Sequence, residues 1–513
     1  MNLKKNYSII IKEILLNKKV GLNMAKKKNK KVTNPLLRKF SLVLWIVSIL
    51  FMIILGYFIY SANILPVKYF LMIVLLFVIL MAIHGIFILN KKTRTWLLIV
   101  LNIIAFVFMA GESFAILKIN DTLTFLRENL GARFETNIYN IVVNANSSYN
   151  SLEDIQNTTI KIAKDMDDMK PVEDALKKKA DTNYEYDENV VDLLTNVAED
   201  TKLVILVNSG NYDAMVQNDE TFEAKVRIID TVSIVTEREE TDTNIDVTKD
   251  PFVVYLSGID TRSNSLPSRS LSDVNIILAV NPNTKNILMI HIPRDYYVQL
   301  HGTTGNKDKL THAGTIGGIE MSMGTIEDLL EIEIPYYIRV NFNAVVNLVD
   351  AIGGININSD VNYSFTCWTD RSCTFNPGLN YVGGKCALAF ARERHAYETG
   401  DRHRGENQEQ VIELIIDKVT SSSTLISNYN DILNALNGTF ETNLTTDDIT
   451  NLVKMQIDDM ASWNINSVNV DGTGASLPTY SYPNQNLYVM NPNMESVNAA
   501  IAKLNEVLET PNE

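Results

Sequence analysis

The chain has 513 residues, with 46 Lys and Arg against 60 Asp and Glu, a net charge of −14 and a mean hydropathy of zero. That length allows about three domains, and the acidic balance argues against a general nucleic-acid binder. Both averages conceal segregation: residues 1–40 carry 12 basic side chains and one acid, Glu13, for +11, and the other 473 residues carry 34 basic and 59 acidic groups, for −25.

The stretches 41–67, 69–90 and 95–111 contain no charged residue. A helix crosses a hydrocarbon core of ~30 Å in about 20 residues. Being apolar on every face, the stretches predict three transmembrane helices within 41–119 rather than helices of a soluble core. Lys26, Lys27, Lys28, Lys30 and Lys31 precede the first span, and Lys91, Lys92 and Arg94 separate the second from the third. The positive-inside rule places both segments in the cytoplasm and exports everything after about Asn120. Glu112 is expected at the membrane interface and His84 against a neighbouring helix. Met24 opens a second start, Met-Ala-Lys-Lys-Lys, within the basic tail.

Residues 121–236 predict a small α/β accessory domain that spaces or flanks the next one, with ligand sensing as the alternative. A strand is expected over 138–144 and another over 202–207. Ser151-Leu152-Glu153-Asp154 resembles a helix start, and 160–179 is expected to be a helix broken and restarted at Pro171. The acidic stretch 237–250 has almost no large apolar group and is expected to be a linker. Of the three cysteines, Cys367, Cys373 and Cys386, the first two flank a short turn and are the expected pair in an exported domain. Free thiols are the alternative.

Residues 251–420 hold the chemistry. Apolar strands are expected over 252–257, 274–280 and 287–292, with Asp260, Asp273 and Arg294 at their ends, the usual rim of an α/β site. A strand over 336–340 carries Arg339, and a helix over 342–351 follows. Then come Arg392, Glu393 and Arg394, and after them Asp401, Arg402, His403, Arg404 and Gln408. Arg404 and Gln408 share a face of a helix over 403–419. Guanidinium forks bind phosphate oxygens and stay charged, and carboxylates beside phosphates suggest Mg²⁺. The set describes a pyrophosphate site, or else a set of surface ion pairs, since acids interleave with the arginines.

Seven motifs occur in order: Gly258-Ile259-Asp260-Thr261-Arg262, Ser272-Asp273-Val274-Asn275, Ile292-Pro293-Arg294-Asp295, Asp308-Lys309-Leu310-Thr311-His312-Ala313-Gly314, Tyr337-Ile338-Arg339-Val340, Ala387-Leu388-Ala389-Phe390-Ala391-Arg392-Glu393-Arg394, and Gly400-Asp401-Arg402-His403-Arg404-Gly405-Glu406-Asn407-Gln408. Together they resemble the LytR-CpsA-Psr family of membrane-anchored cell-wall enzymes over about 252–419, with an extension of the catalytic domain over 421–513. The resemblance implies an α/β domain, a mixed central sheet flanked by helices, with an apolar cavity for a polyprenyl chain. It implies transfer of a glycopolymer, teichoic-acid-like or capsular, from a polyprenyl (pyro)phosphate carrier to peptidoglycan on the outer face of a Gram-positive-type membrane. Carried over residue by residue, Asp260 and Asp273 hold Mg²⁺ or another divalent cation. Arg294, Arg392, Arg394 and Arg404 clamp the phosphates with Gln408 beside them, and Arg262 and Asp401 match motif positions of less defined role.

Two departures stand out. Many relatives have Arg-Ser-Asp where this chain has Leu271-Ser272-Asp273, and Arg269 is the candidate to compensate. His291 stands where Ser is common and is expected to be a packed side chain rather than a base. Gly314, Gly317, Gly318 and Gly324 are expected to serve close helix packing rather than a phosphate cradle. The alternatives to transfer are a membrane-bound regulator or scaffold that binds polyprenyl-phosphate lipids, and a lipid pyrophosphate hydrolase.

Overall fold

The computed structural model describes residues 35–129, 134–164, 169–187, 189–237, 243–259, 266–421 and 428–509. It divides into two compact units, 1–121 and 122–513.

The first unit contains three helices, Pro35–Ala62, Val67–Leu89 and Thr95–Asn129, each long and apolar enough to cross a membrane. Small residues and a few polar groups join them. The Trp45 ring fills the notch at Gly85, where a Cβ would come within 2.9 Å, and its Nε1 donates to the Met81 carbonyl at 2.9 Å. Asn102 donates to Ser41 Oγ at 2.9 Å. His84 is packed, and Glu112 is also buried among the described residues.

The second unit begins with a five-stranded sheet of β1 (Phe134–Asn144), β2 (Thr159–Ala163), β3 (Asn183–Asp187), β4 (Val204–Asn208) and β5 (Val226–Glu237), in the order β3-β2-β4-β1-β5. Residues 159–163 are a strand where a helix was expected. Ile160 and Ile162 alternate with Lys161, and this period of two buries both isoleucines between β3 and β4. The helix starts later, over Lys170–Lys177, with Pro171 in its first turn where its missing N–H costs nothing. Ser151 to Asp154 is a turn: the Asp154 carboxylate accepts the Asn150 and Ser151 amides. The described part of the acidic stretch, 243–250, is not a free linker, because Val247 is 1% exposed and packs with Phe252 and Val254. Ile245 packs against the same core and Thr243 hydrogen-bonds the Tyr336 hydroxyl at 2.7 Å, while Asp246 closes a turn through Thr248 and Lys249.

The following domain is built on β6 (Phe252–Ile259), β7 (Ser272–Asn281) and β8 (Asn286–His291), an antiparallel meander. A hairpin of β9 (Tyr297–Val298) and β10 (Asp308–Lys309) leads to the helices Leu310–Ile316 and Gly318–Leu330. β11 (Tyr336–Asn341) then returns parallel to β6. After the helix Phe342–Ala351 come β12 (Ile355–Ser359), the short pair β13 (Phe365–Thr366) and β14 (Thr374–Phe375), and β15 (Gly378–Val382). The helices Gly384–Ala391 and Asp401–Thr420 precede β16 (Phe440–Thr442), the helix Thr446–Asp459 and β17 (Asn464–Asn469). β18 (Gly472–Pro478), β19 (Asn486–Pro492) and the helix Met494–Leu508 finish the domain.

The sheet order is β16-β11-β6-β7-β8-β17. Period-two alternation sends Val253, Tyr255, Ile277 and Ile290 to one face, with the helices 310–330 and 494–508. Val254, Leu256, Ile276 and Met289 go to the other, with Ile412, Ile416, Ile449 and Leu452. Both faces are thus covered by helices. A further core holds Val349, Phe375, Phe390 and Cys367.

The disulfide joins Cys373 to Cys386, not to Cys367, which is a buried free thiol. Cys367 and Cys373 face each other across the β13–β14 turn, but the helix Gly384–Ala391 packs over that turn and brings Cys386 to Cys373. Proximity in sequence pointed to the wrong partner.

Candidate active site

The strand directions place the motif residues. β6, β8, β11 and β17 run one way and β7 the other, so Ile259, Ser272, His291 and Asn341 reach the same end of the sheet. Asp273 lies just inside β7, and Arg294 follows β8 after the Ile292–Pro293 turn. Arg294 Nη1 donates to Asp273 Oδ1 at 2.7 Å, and the two side chains are 16% and 11% exposed. Asp273 Oδ2 accepts no hydrogen bond from the described residues. The charges continue from Arg294 Nε to Asp295 at 3.7 Å and from Asp295 to Lys309 Nζ at 3.1 Å. Lys309 and Asp295 had no role in the sequence reading; the signal was two charged motif residues beside short strands.

The helix Asp401–Thr420 packs its first turns on the end of β8. A Cβ on Gly405 would meet the His291 ring at 2.7 Å, so only glycine allows this approach. Arg404 and Gln408, four apart, both face His291. Part of the His291 residue stays accessible, but its ring is enclosed. Burial and then the Arg404 charge lower its pKa to about 4, against the Gln408 hydrogen bond. It is therefore a neutral packed group at neutral pH. One residue past Gln408, burial raises Glu409 to about 7, helped by the Glu406 and Glu413 charges.

Arg392 caps the helix Gly384–Ala391, with its guanidinium 4.5 Å from the Phe342 ring centre. Phe342 follows Asn341 at the end of β11, where the Asn341 side chain accepts the Ala344 amide at 2.9 Å. The neighbouring Glu393 is 1% exposed and is a structural carboxylate. Its Oε1 accepts the amides of Arg394, His395 and Ala396, and its Oε2 that of Trp368. Arg394 is exposed, with no side-chain hydrogen bond or ion pair to the described residues. Burial, then the Glu393 and Asp370 charges, push the Cys367 thiol up to about 12, so it is unreactive.

Asp260 and Arg262 lie outside the described residues, and Asp401 is described only as the first residue of its helix. Arg269 lines a cavity with Lys164 and His312. Of the four glycines in the 310–330 helices, Gly314 brings Ser270 O within 2.3 Å of its missing Cβ, and Gly324 packs on His301; these are close-packing positions.

The family model described as LytR_cpsA_psr family matches residues 220–503. This chain belongs to that family. A relative from Enterococcus faecalis named polyisoprenyl-teichoic acid–peptidoglycan teichoic acid transferase TagU is 37% identical over 201 residues, 39% of this chain and 64% of that protein. A Bacillus licheniformis protein of the same name is 34% identical over 216 residues, 42% and 67% of the two chains. The match to the E. faecalis relative thus spans less than two thirds of its length. The crystal structure of B. subtilis TagV is 29% identical, covering 51% of this chain and 99% of that one, with a TM-score of 0.43. Within the LytR_cpsA_psr match falls the sheet end that carries the rim arginines, together with β5 of the preceding sheet.

Proposed function

We propose that this protein is a phosphotransferase that moves a teichoic-acid-like or capsular glycopolymer from a polyprenyl (pyro)phosphate carrier to peptidoglycan. The supporting observation is the gathering of Asp273, Arg294, Arg392 and Arg404 at one end of one sheet. The names of the relatives and the three apolar helices agree with it. In the reaction an acceptor sugar hydroxyl forms a bond to the phosphorus borne by the glycopolymer. The bond to the polyprenyl phosphate breaks, that phosphate leaves with the electron pair, and the hydroxyl proton passes to solvent or base. Charge builds on the phosphoryl oxygens, and preorganised cations stabilise it. Arg294 and Arg404 sit on the phosphates from β8 and the helix 401–420, Arg392 and Arg394 close the site from the side of β11, and Gln408 lies beside Arg404 on the same helix face.

Among the described residues no three His, Cys, Asp or Glu side chains converge as a metal cage. Mg²⁺ does not need one, because one or two carboxylates with substrate oxygens suffice. Asp273, whose Oδ2 accepts no hydrogen bond from the described residues, and Asp260 after β6 are the residues to hold it. Bound there, the ion would neutralise charge on the phosphates. The anchor sets the N-terminus in the cytoplasm and the site outside, where the lipid carrier, membrane and wall meet.

The test is the full chain in lipid with a lipid-linked polymer, Mg²⁺ and peptidoglycan fragments. Polymer–peptidoglycan product supports the proposal and its loss on chelation supports the metal. Release of polymer without acceptor indicates a hydrolase, and binding without turnover a scaffold; either outcome overturns it.

A further inference from the structure

Away from the arginine rim, a cavity of about 930 Å³ separates the five-stranded sheet domain from the catalytic-type domain, within one compact unit. Lys164, Asn189 and Asn211 wall one side, and Arg269, His312 and Tyr480 the other. Among its described lining residues Lys164, Arg269 and His312 are the basic groups, and none is a carboxylate.

His312 is 1% exposed, and Asp308 orients it with Oδ1 2.7 Å from Nδ1. The Ser481 amide donates to the other Asp308 oxygen at 2.7 Å, and the Ser481 hydroxyl also donates there. Burial alone would raise the Asp308 carboxyl, but the His312 ring and the Ser481 donors outweigh it and hold it below the usual carboxylate range. Asp308 is therefore the acceptor and His312 Nδ1 the donor. The remaining nitrogen, Nε2, is buried without a hydrogen-bond partner among the described residues. Such an orphan inside a native wall calls for a missing partner.

With Nδ1 committed to Asp308, Nε2 is the ring atom left to exchange a hydrogen bond with a hydroxyl. The walls then combine this imidazole nitrogen, the Asn211 amide, two cations and the half-exposed Tyr480 ring, 43% exposed. Cations alone would suit any anion. Hydroxyl and amide partners with an aromatic face suit a polyol ring. We infer that this cavity binds a phosphorylated saccharide, its hydroxyls on His312 and Asn211 and its phosphate on Lys164 and Arg269.

The cavity is tied to the rim through one helix. Thr311 N donates to the Arg294 carbonyl at 2.9 Å, and His312 is the next residue. Ser270 N donates to Gly314 O at 3.1 Å, which holds the segment bearing Arg269 against the same helix. The occupant is either a segment of the polymer being transferred, which rests on the proposed function, or a free sugar phosphate.

Calorimetry on the full chain in lipid nanodiscs, with glucose 1-phosphate, a glucose–phosphate–glucose diester, glucose and inorganic phosphate, tests this. One of the two esters is expected to bind about tenfold more tightly than glucose or inorganic phosphate. Lys164→Ala and Arg269→Gln should each weaken it by about tenfold, the worth of a charge-assisted contact. Lys164 is exposed, so Lys164→Ala should keep the wild-type melting temperature. Arg392→Ala with Arg394→Ala should leave the ester affinity intact. Preference for the diester identifies the polymer as occupant, and preference for the monoester a free sugar phosphate. No ester binding, glucose binding as tightly, or indifference to both cavity variants would overturn the inference. Transfer reads out Arg392 and this binding reads out Lys164, so either reading can fail alone.

Discussion

Arg339 and Arg294 stand near the same end of one sheet, on β11 and just past β8, yet their surroundings differ. Arg339 is 3% exposed: Nη1 donates to Glu441 at 2.8 Å, and Nη2 to Pro267 O at 2.6 Å and Ser270 Oγ at 3.1 Å. Those bonds tie β11 to β16 and to the 267–270 segment. Arg294 sits beyond its strand, 16% exposed, with Asp273 at 2.7 Å and Asp295 at 3.7 Å. A guanidinium whose fork is filled by protein holds the fold, and one at an open rim can meet phosphate. Burial and backbone partners, not motif membership, separate the two.

The sharpest way to break this contrast is Arg339→Ala. It strands Glu441 and should cost about 3–5 kcal/mol, read as a large fall in melting temperature. An unaltered melting curve would show that Arg339 is no structural clamp. Arg294→Ala should do the reverse, keeping most of the stability while transfer falls ~10²–10³-fold in the lipid-linked assay. Gly405→Ala comes next. Its methyl must displace the His291 ring, at about 1–3 kcal/mol, and activity should fall with stability because Arg404 shifts too.

The smallest effect is in pH. His291 titrates near 6.5 when unfolded and about 4 when folded, so its contribution is complete above about 6.5 and declines as pH falls toward 4. Glu409 has the opposite sign: raised to about 7 from 4.5, it contributes below about 4.5 and loses that as pH rises through 7. The two nearly oppose each other between 4.5 and 6.5. Glu409→Gln should unmask a stability that rises with pH, and His291→Asn one that falls, in chemical denaturation at pH 4.5 to 7.5. Parallel curves for the two variants would refute both assignments.

Much of this was legible because strands and spans are written in local pattern. The uncharged runs became three helices, the third running on past its expected end to Asn129, and β6, β7, β8 and β11 followed the expected stretches within a few residues. Failures came where tertiary contacts override neighbours in sequence. Ile160 and Ile162 lie in a charged stretch that masks a five-residue strand. Val247 and Ile245 dock an otherwise polar segment, and Cys386 reaches Cys373 only once a helix folds over a hairpin. At the site, the strand-end positions of Asp273 and Arg294 could be read, since a strand must end somewhere near its turn residues. The Glu393 cage, the Arg392 seat on Phe342 and the turning of Arg269 toward a second cavity could not, because each depends on elements far apart in sequence.

The place of β17 carries a consequence for biosynthesis. It covers β8 in register from Asn464 opposite Asn286 to Asn469 opposite His291. Until it emerges, β8 is a bare edge whose amides and carbonyls can recruit another chain. At ~5–20 residues per second, well over a hundred residues separate the two strands, so the nascent protein waits on the order of ten seconds or more with its central sheet unfinished. A chain halted before residue 464 would leave that edge open permanently, a template for aggregation at the membrane rather than a smaller working enzyme.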